Sequence, residues 1–312
     1  MKILRKNVPG GVVIAFVCIA GAMAYSLGYM MAMRKFNDVV AYNQERANMY
    51  SKLSEIDKMI RQEYIGNVDE KELMSDICDG YVRGLESDSC KYLTSDEYKE
   101  CMSDKTSDEN SVKYEVLGDN IGYIKINSLA NNTGDMFVDA LRALFGEGVR
   151  KVILDIRGLD GTNLEYIEKC FDSLSRNGDS IKSIDKKGNK EIVYKTDADR
   201  MDIKFAVIVD SDTEGVPELI ASACKDSGFG RVIGEKTKGN TVYEKTSELS
   251  DGSGLIFPIA HLVTQKEQIL TNKGVLPDDE VILDSDKKEL FRRGELSHDE
   301  DIQFQKAVDS LA

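Results

Sequence analysis

The stretch Val209-Asp210-Ser211-Asp212-Thr213-Glu214-Gly215-Val216-Pro217-Glu218-Leu219 reads as the end of a strand, a tight turn and the start of a helix. An apolar run, residues 205–209, leads into it. Pro217 suits the first turn of a helix because its fixed φ is already helical and its missing N–H is one the helix would not use. Asp212 or Thr213 is placed near its cap. The apolar stripe over 216–227 ends at Gly228-Phe229-Gly230, a stop and turn. Working outward, strand patterns at 121–126 and 152–156 alternate with helical patterns at 134–145 and 164–174. Such alternation predicts an α/β layer architecture. A β-rich stretch over 231–283 and a closing helix over 299–311 complete this part, with no internal repeat.

Towards the N-terminus the pattern changes. Residues 8–33 contain no Asp, Glu, Lys or Arg, long enough to cross a bilayer. Lys2, Arg5 and Lys6 precede the run, and Arg34 and Lys35 follow it. The reading is one N-terminal transmembrane helix, residues 1–35 with the cytoplasmic tip, and an extracytoplasmic main domain. Ala22-Met23-Ala24 has the form of a signal-peptidase site, but apolar residues continue past it, which favours an uncleaved anchor. Ala20, Ala24 and Gly28 would let two such helices approach closely. Beyond it, 36–102 reads as a helical region: a long amphipathic helix over 36–62, carrying Val39, Val40, Met49, Leu53, Ile56 and Ile60, then a helix over 71–85. The charged connector 103–113 leads to a core over 114–284 and a helical C-terminal segment, 285–312.

The formal net charge of −14 makes nucleic acid an unsuitable partner. Cys18 lies in the apolar run, leaving Cys78, Cys90, Cys101, Cys170 and Cys224 with no CxxC pair, so no zinc site or disulfide framework is signalled, although Cys90 and Cys101 could pair. No cofactor is implied. Asp210-x-Asp212-x-Glu214-Gly215 copies the opening of an EF-hand loop, but its twelfth position is Ala221 instead of a bidentate glutamate, so no metal is expected.

The order of further motifs carries a resemblance. Tyr64-Ile65, Val68, Leu73, Gly80 and Ser89-Cys90-Lys91-Tyr92-Leu93 are followed by Ile121-Gly122-Tyr123-Ile124 and Val152-Ile153-Leu154-Asp155-Ile156-Arg157. Gly234-Glu235-Lys236-Thr237-x-Gly239 and Gly274-Val275-x-Pro277-Asp278 come later. Together they are similar to the C-terminal processing, or tail-specific, serine peptidases, which implies a ClpP/crotonase-like peptidase core preceded by a helical segment. Two departures stand out. Family members usually carry a PDZ module after the tyrosine-leucine signature, but only about twenty residues separate Leu93 from Tyr114. The resemblance also implies a Ser/Lys dyad, and aligning on Glu218 puts Gly215 at the serine and Asn240 at the lysine. Neither side chain can attack a carbonyl or take up the attacking proton. Ser211 and Thr213 are alternative hydroxyls, and Lys236 and Lys238 alternative amines. The only histidines, His261 and His298, offer no evident triad.

The resemblance further implies that Gly161 and the Val216 N–H correspond to the family's oxyanion hole. Gly161, Thr162, Gly215 and Val216 would then floor a cleft accepting an extended peptide by strand addition. The expectation is a pseudopeptidase that binds peptide or a partner protein, as a homodimer or a heterodimer with an active relative. The alternative is an endopeptidase with a relocated nucleophile.

Overall fold

The computed structural model describes residues 10–103, 106–197 and 201–312, with the side chains of 10–16, 18, 38 and 39 set aside. It divides into two compact units, Met1–Glu70 and Lys71–Ala312. In the first, one helix, α1 (Gly10–Glu63), replaces the separate anchor and amphipathic helix expected from sequence. Residues 8 and 9 of the expected span lie outside the described residues. Among those described, no helix is long and apolar enough to cross a membrane.

The second unit opens with α2 (Glu70–Arg83, from its second residue), β1 (Lys91–Leu93) and α3 (Ser95–Ser103). The charged connector is held to the segment that follows through Asp108, one of its described residues. Asp108 N–H donates to Asn132 Oδ1 at 3.0 Å and Ser128 Oγ donates to Asp108 Oδ2 at 2.5 Å. Strand β2 (Val112–Val116) begins inside it and pairs antiparallel with β3 (Ile121–Ile126). Next come α4 (Thr133–Gly146), β4 (Lys151–Asp155), a 3-10 turn (Leu164–Ile167) and α5 (Glu168–Leu174). The hairpin β5 (Ser180–Asp185) and β6 (Lys190–Lys195) precedes β7 (Lys204–Val209), α6 (Val216–Ser227) and β8 (Gly230–Gly234). The chain finishes with β9 (Val242–Glu248), β10 (Gly254–Val263), β11 (Asp279–Glu280), α7 (Ser285–Arg293) and α8 (Ile302–Leu311).

The central sheet has the order β11-β8-β7-β4-β3-β2, parallel except at β2. Both faces are covered, which is why its strands are continuous apolar runs. Val152, Leu154, Val207 and Val209 pack with residues of α4, α5 and α6. Ile153, Ala206 and Ile208 face the other way, onto Phe304, Ala307 and Leu311 of α8. Asp301 caps α8, accepting from the N–H groups of Gln303 and Phe304 at 3.0 and 3.1 Å.

A buried ionic group ties α8 to the sheet. Arg157 Nε donates to Asp155 Oδ1 at 2.9 Å, and its Nη1 lies 2.8 Å from Asp301 Oδ2. Tyr123 Oη donates to Asp155 Oδ2 at 2.8 Å. Burial alone would raise the Asp155 carboxyl, but the charge and hydrogen bonds of Arg157 outweigh it and hold the group below its ordinary value.

The second sheet is built on β10. Strand β9 runs along one edge of it, and β1 and β5 share the other, at Gly254–Ile256 and Ala260–Val263. Residues 257–259 fall between them, at a bulge, with no strand on that edge among the described residues.

Candidate functional site

The site lies at the C-terminal ends of β4 and β7, where ligands of parallel sheets gather. Leaving β7, the chain makes the turn that begins at Asp210. Thr213 Oγ1 accepts from Asp210 N–H at 3.0 Å and is 2.9 Å from Asp210 Oδ1 and 3.2 Å from Ile156 O. It is fully buried. The other carboxylates of the EF-hand-like run are also engaged, Asp212 with Arg292 at 2.8 Å and Glu214 with Lys238.

Gly215 then takes φ +80° and ψ −134°, a conformation L side chains rarely adopt. A Cβ placed there would sit 2.1 Å from the Gly161 carbonyl oxygen. That oxygen accepts the Val216 N–H at 2.8 Å, and Leu159 O accepts the Glu214 N–H at 3.0 Å. The turn at 158–162 is thus zipped to the start of α6. Here the structure departs from the expected oxyanion-like pair: the Val216 donor is already spent, on Gly161 itself. Thr162 is likewise occupied, donating to Glu244 Oε2 at 2.7 Å.

Glu218, in the first turn of α6, is the buried hub that joins this helix start to the loop 237–240. Its carboxylate accepts the N–H groups of Gly215, Gly239 and Asn240 at 3.0, 2.8 and 2.8 Å, and the Thr237 hydroxyl. Burial pushes the Glu218 carboxyl up, against the pull of these donors. Asn240 Nδ2 donates to Glu214 Oε1 at 2.8 Å and to Ser89 Oγ at 3.1 Å. Lys238 is raised above its ordinary value by its hydrogen bond to Glu214.

A cleft of about 510 Å³ opens beside this cluster. Ser89, Glu214, Lys238 and Asn240 line one side; Pro258, Ile259 and His261 line the side formed by β10, at the notch between β1 and β5. His261 Nδ1 is 2.8 Å from Thr271 Oγ1. Of the sequence candidates, the structure brings Gly161, Gly215, Val216, Lys238 and Asn240 together, buries Thr213, and leaves Ser211 and Lys236 exposed at the surface. Sequence reasoning missed Ser89 and Glu214 as site residues; Ser89 reaches Asn240 across 151 positions, with no local signal. Cys90 and Cys101 are free thiols, and no disulfide occurs among the described residues.

The site thus sits on a mostly parallel α/β core, at a strand-to-helix turn beside a cleft. Residues 120–281 match the model of peptidase family S41, and the chain belongs to that family. It is 28% identical over 174 residues to a probable CtpA-like serine protease of Staphylococcus saprophyticus, covering 55% of this chain and 35% of that protein. It is 26% identical over 194 residues to a carboxyl-terminal-processing protease of Synechocystis, covering 62% and 44%. The chain thus spans less than half the length of these curated relatives. Among solved structures it resembles the photosystem II D1 C-terminal processing protease, with a TM-score of 0.51, 25% identity, and coverage of 56% of this chain and 49% of that one. A lipoprotein from Streptococcus agalactiae, 18% identical, shares the fold with a TM-score of 0.54 over 76% of this chain and 88% of that one.

Proposed function

We propose that this S41 family chain is a pseudopeptidase, which holds an extended peptide or partner segment without cutting it. The observation that carries the reading is at Gly215, which the order of motifs aligns with the family serine: the space a Cβ would need there is filled by the Gly161 oxygen at 2.1 Å. Asn240, which the same order of motifs aligns with the lysine, supports it, being engaged with Glu214 and Ser89. The relocated candidates fit poorly. Thr213 is buried and triply bonded, whereas a nucleophile must reach its substrate. Lys238 is half-exposed and held as a cation by Glu214, the opposite of the desolvated amine a dyad requires. Ser211 and Lys236 are exposed, with no hydrogen bond between them among the described contacts.

The notch on β10 supports binding: it leaves a short strand edge unpaired among the described residues, and its Pro258 and Ile259 line the cleft, where an extended segment would lie. The charge-free run at 8–33 supports a membrane anchor, with the domain outside the cytoplasm.

The test is incubation of the full chain with an unfolded protein such as casein, and titration of a fluorescent casein-derived peptide by anisotropy. Saturable binding with no cleavage products supports the reading. Cleavage abolished by Ser211→Ala would overturn it in favour of a relocated nucleophile, and absence of any peptide binding would remove the binding half.

A further inference from the structure

We infer that α1 pairs in parallel with the α1 of a second copy of this chain, through a coiled-coil seam running from Tyr42 to Ile60. The spacing carries the seam. Tyr42, Met49 and Ile56 stand at d, and Arg46, Leu53 and Ile60 at a, of an unbroken heptad repeat. The apolar members are exposed on this helix, Met49 at 42%, Leu53 at 39%, Ile56 at 51% and Ile60 at 42%. Positions b, c and f are polar almost throughout, with Asn48, Ser51, Glu55, Lys58 and Gln62 among them. Tyr50 at e and Met59 at g flank the stripe, exposed at 53% and 57%, and exposed apolar residues on a long helix lose stability unless covered.

Charge selects the occupant and its direction. In parallel register, each g residue meets the e residue five positions on in the other helix, which places Lys52 against Asp57 of the second copy, twice by symmetry. Asp57 is steadied there by Arg61 at 2.8 Å. Arg46, the one charged a position, comes beside Glu45 of the second copy, and its long stem lets the guanidinium reach solvent past a single neighbouring helix. The seam is about 28 Å long at ~1.5 Å per residue. It uses no residue of the cleft, so it stands or falls independently of the pseudopeptidase reading.

The experiment uses the full chain in a mild non-ionic detergent, with mass measured by sedimentation and geometry by cysteine cross-linking. The native chain is expected to sediment as a dimer, and Leu53→Glu with Ile60→Glu to halve that mass while leaving its circular dichroism unchanged, since both positions are exposed in the single chain. Leu53→Cys and Ile60→Cys should each give oxidised dimer well above the background of the native cysteines, and Ser51→Cys and Lys58→Cys should not. A monomeric native chain, or a dimer indifferent to the double substitution, would overturn the seam. A trimer or larger assembly would overturn the two-stranded occupant, and cross-linking at only one of the two seam positions would overturn the parallel direction.

Discussion

Two charged clusters grow from the ends of neighbouring parallel strands, and they have been treated in opposite ways. At the end of β4, Asp155 and Asp301 are sealed from water beneath α8, both paired with the one Arg157 guanidinium. Beyond β7, Glu214, Lys238 and Asn240 make a similar web of bonds with Ser89, but the Lys238 side chain is 50% exposed and the web borders the cleft. A sealed cluster fixes the fold because its charges have nowhere else to go. An open one contributes little to stability and remains available to a ligand.

The sharpest break in that contrast is Arg157→Met, which leaves Asp155 and Asp301 buried without their cation. It should cost about 3–5 kcal/mol in denaturant unfolding; a loss below about 1 kcal/mol would show the cluster is not sealed. The pH dependence has a sign. The Asp155 carboxyl lies below its ordinary 3.8 in the folded state, so its contribution is present above that value and is lost as the pH falls below it. Asp155→Asn should therefore flatten the acid limb of the stability profile.

Glu218→Gln comes next, since an amide cannot accept from three N–H groups and a hydroxyl as the carboxylate does. The expected cost is about 1.5–3 kcal/mol where it is largest, at acidic pH. Because burial raises the Glu218 carboxyl, its own contribution is present below the ordinary 4.5 and lost as pH rises through the higher folded value, so the deficit of the variant should shrink towards neutral pH. Gly215→Ala should cost about 1–3 kcal/mol through the positive φ and the contact with Gly161, measured by thermal unfolding. Smallest is Lys238→Met: exposed ion pairs contribute under about 1 kcal/mol. Yet it should change the affinity for a cleft peptide, and an unchanged affinity would place the peptide elsewhere.

The sheet core was legible because strands buried on both faces are uninterrupted apolar runs, as at β4 and β7. The hairpin β5–β6 was not: Ser180-Ile181-Lys182-Ser183-Ile184-Asp185 breaks its alternation at a bulge between Ile181 and Lys182, and β6 is mostly exposed. Strand β1 and helix α3 are too short and polar to stand out. At the site, the order of motifs singled out Gly215 and Asn240 together, and their N–H groups do meet, on the Glu218 carboxylate. The closure of Val216 onto Gly161 could not be read from that order, because it depends on the direction of one peptide group, and sequence does not encode that locally. Likewise the division after Glu70 follows from packing, so residues 71–103 sit in the same compact unit as the core although their helical pattern resembled that of the preceding segment.

The Gly161 carbonyl also works as a ratchet. Any side chain introduced at 215 meets an oxygen where its first carbon belongs, so Gly215→Ser alone does not present a hydroxyl to the cleft; the 161–162 peptide must turn over as well, giving up its bond to Val216. Two coordinated changes stand between this backbone and one that carries a nucleophile, and each by itself is a loss.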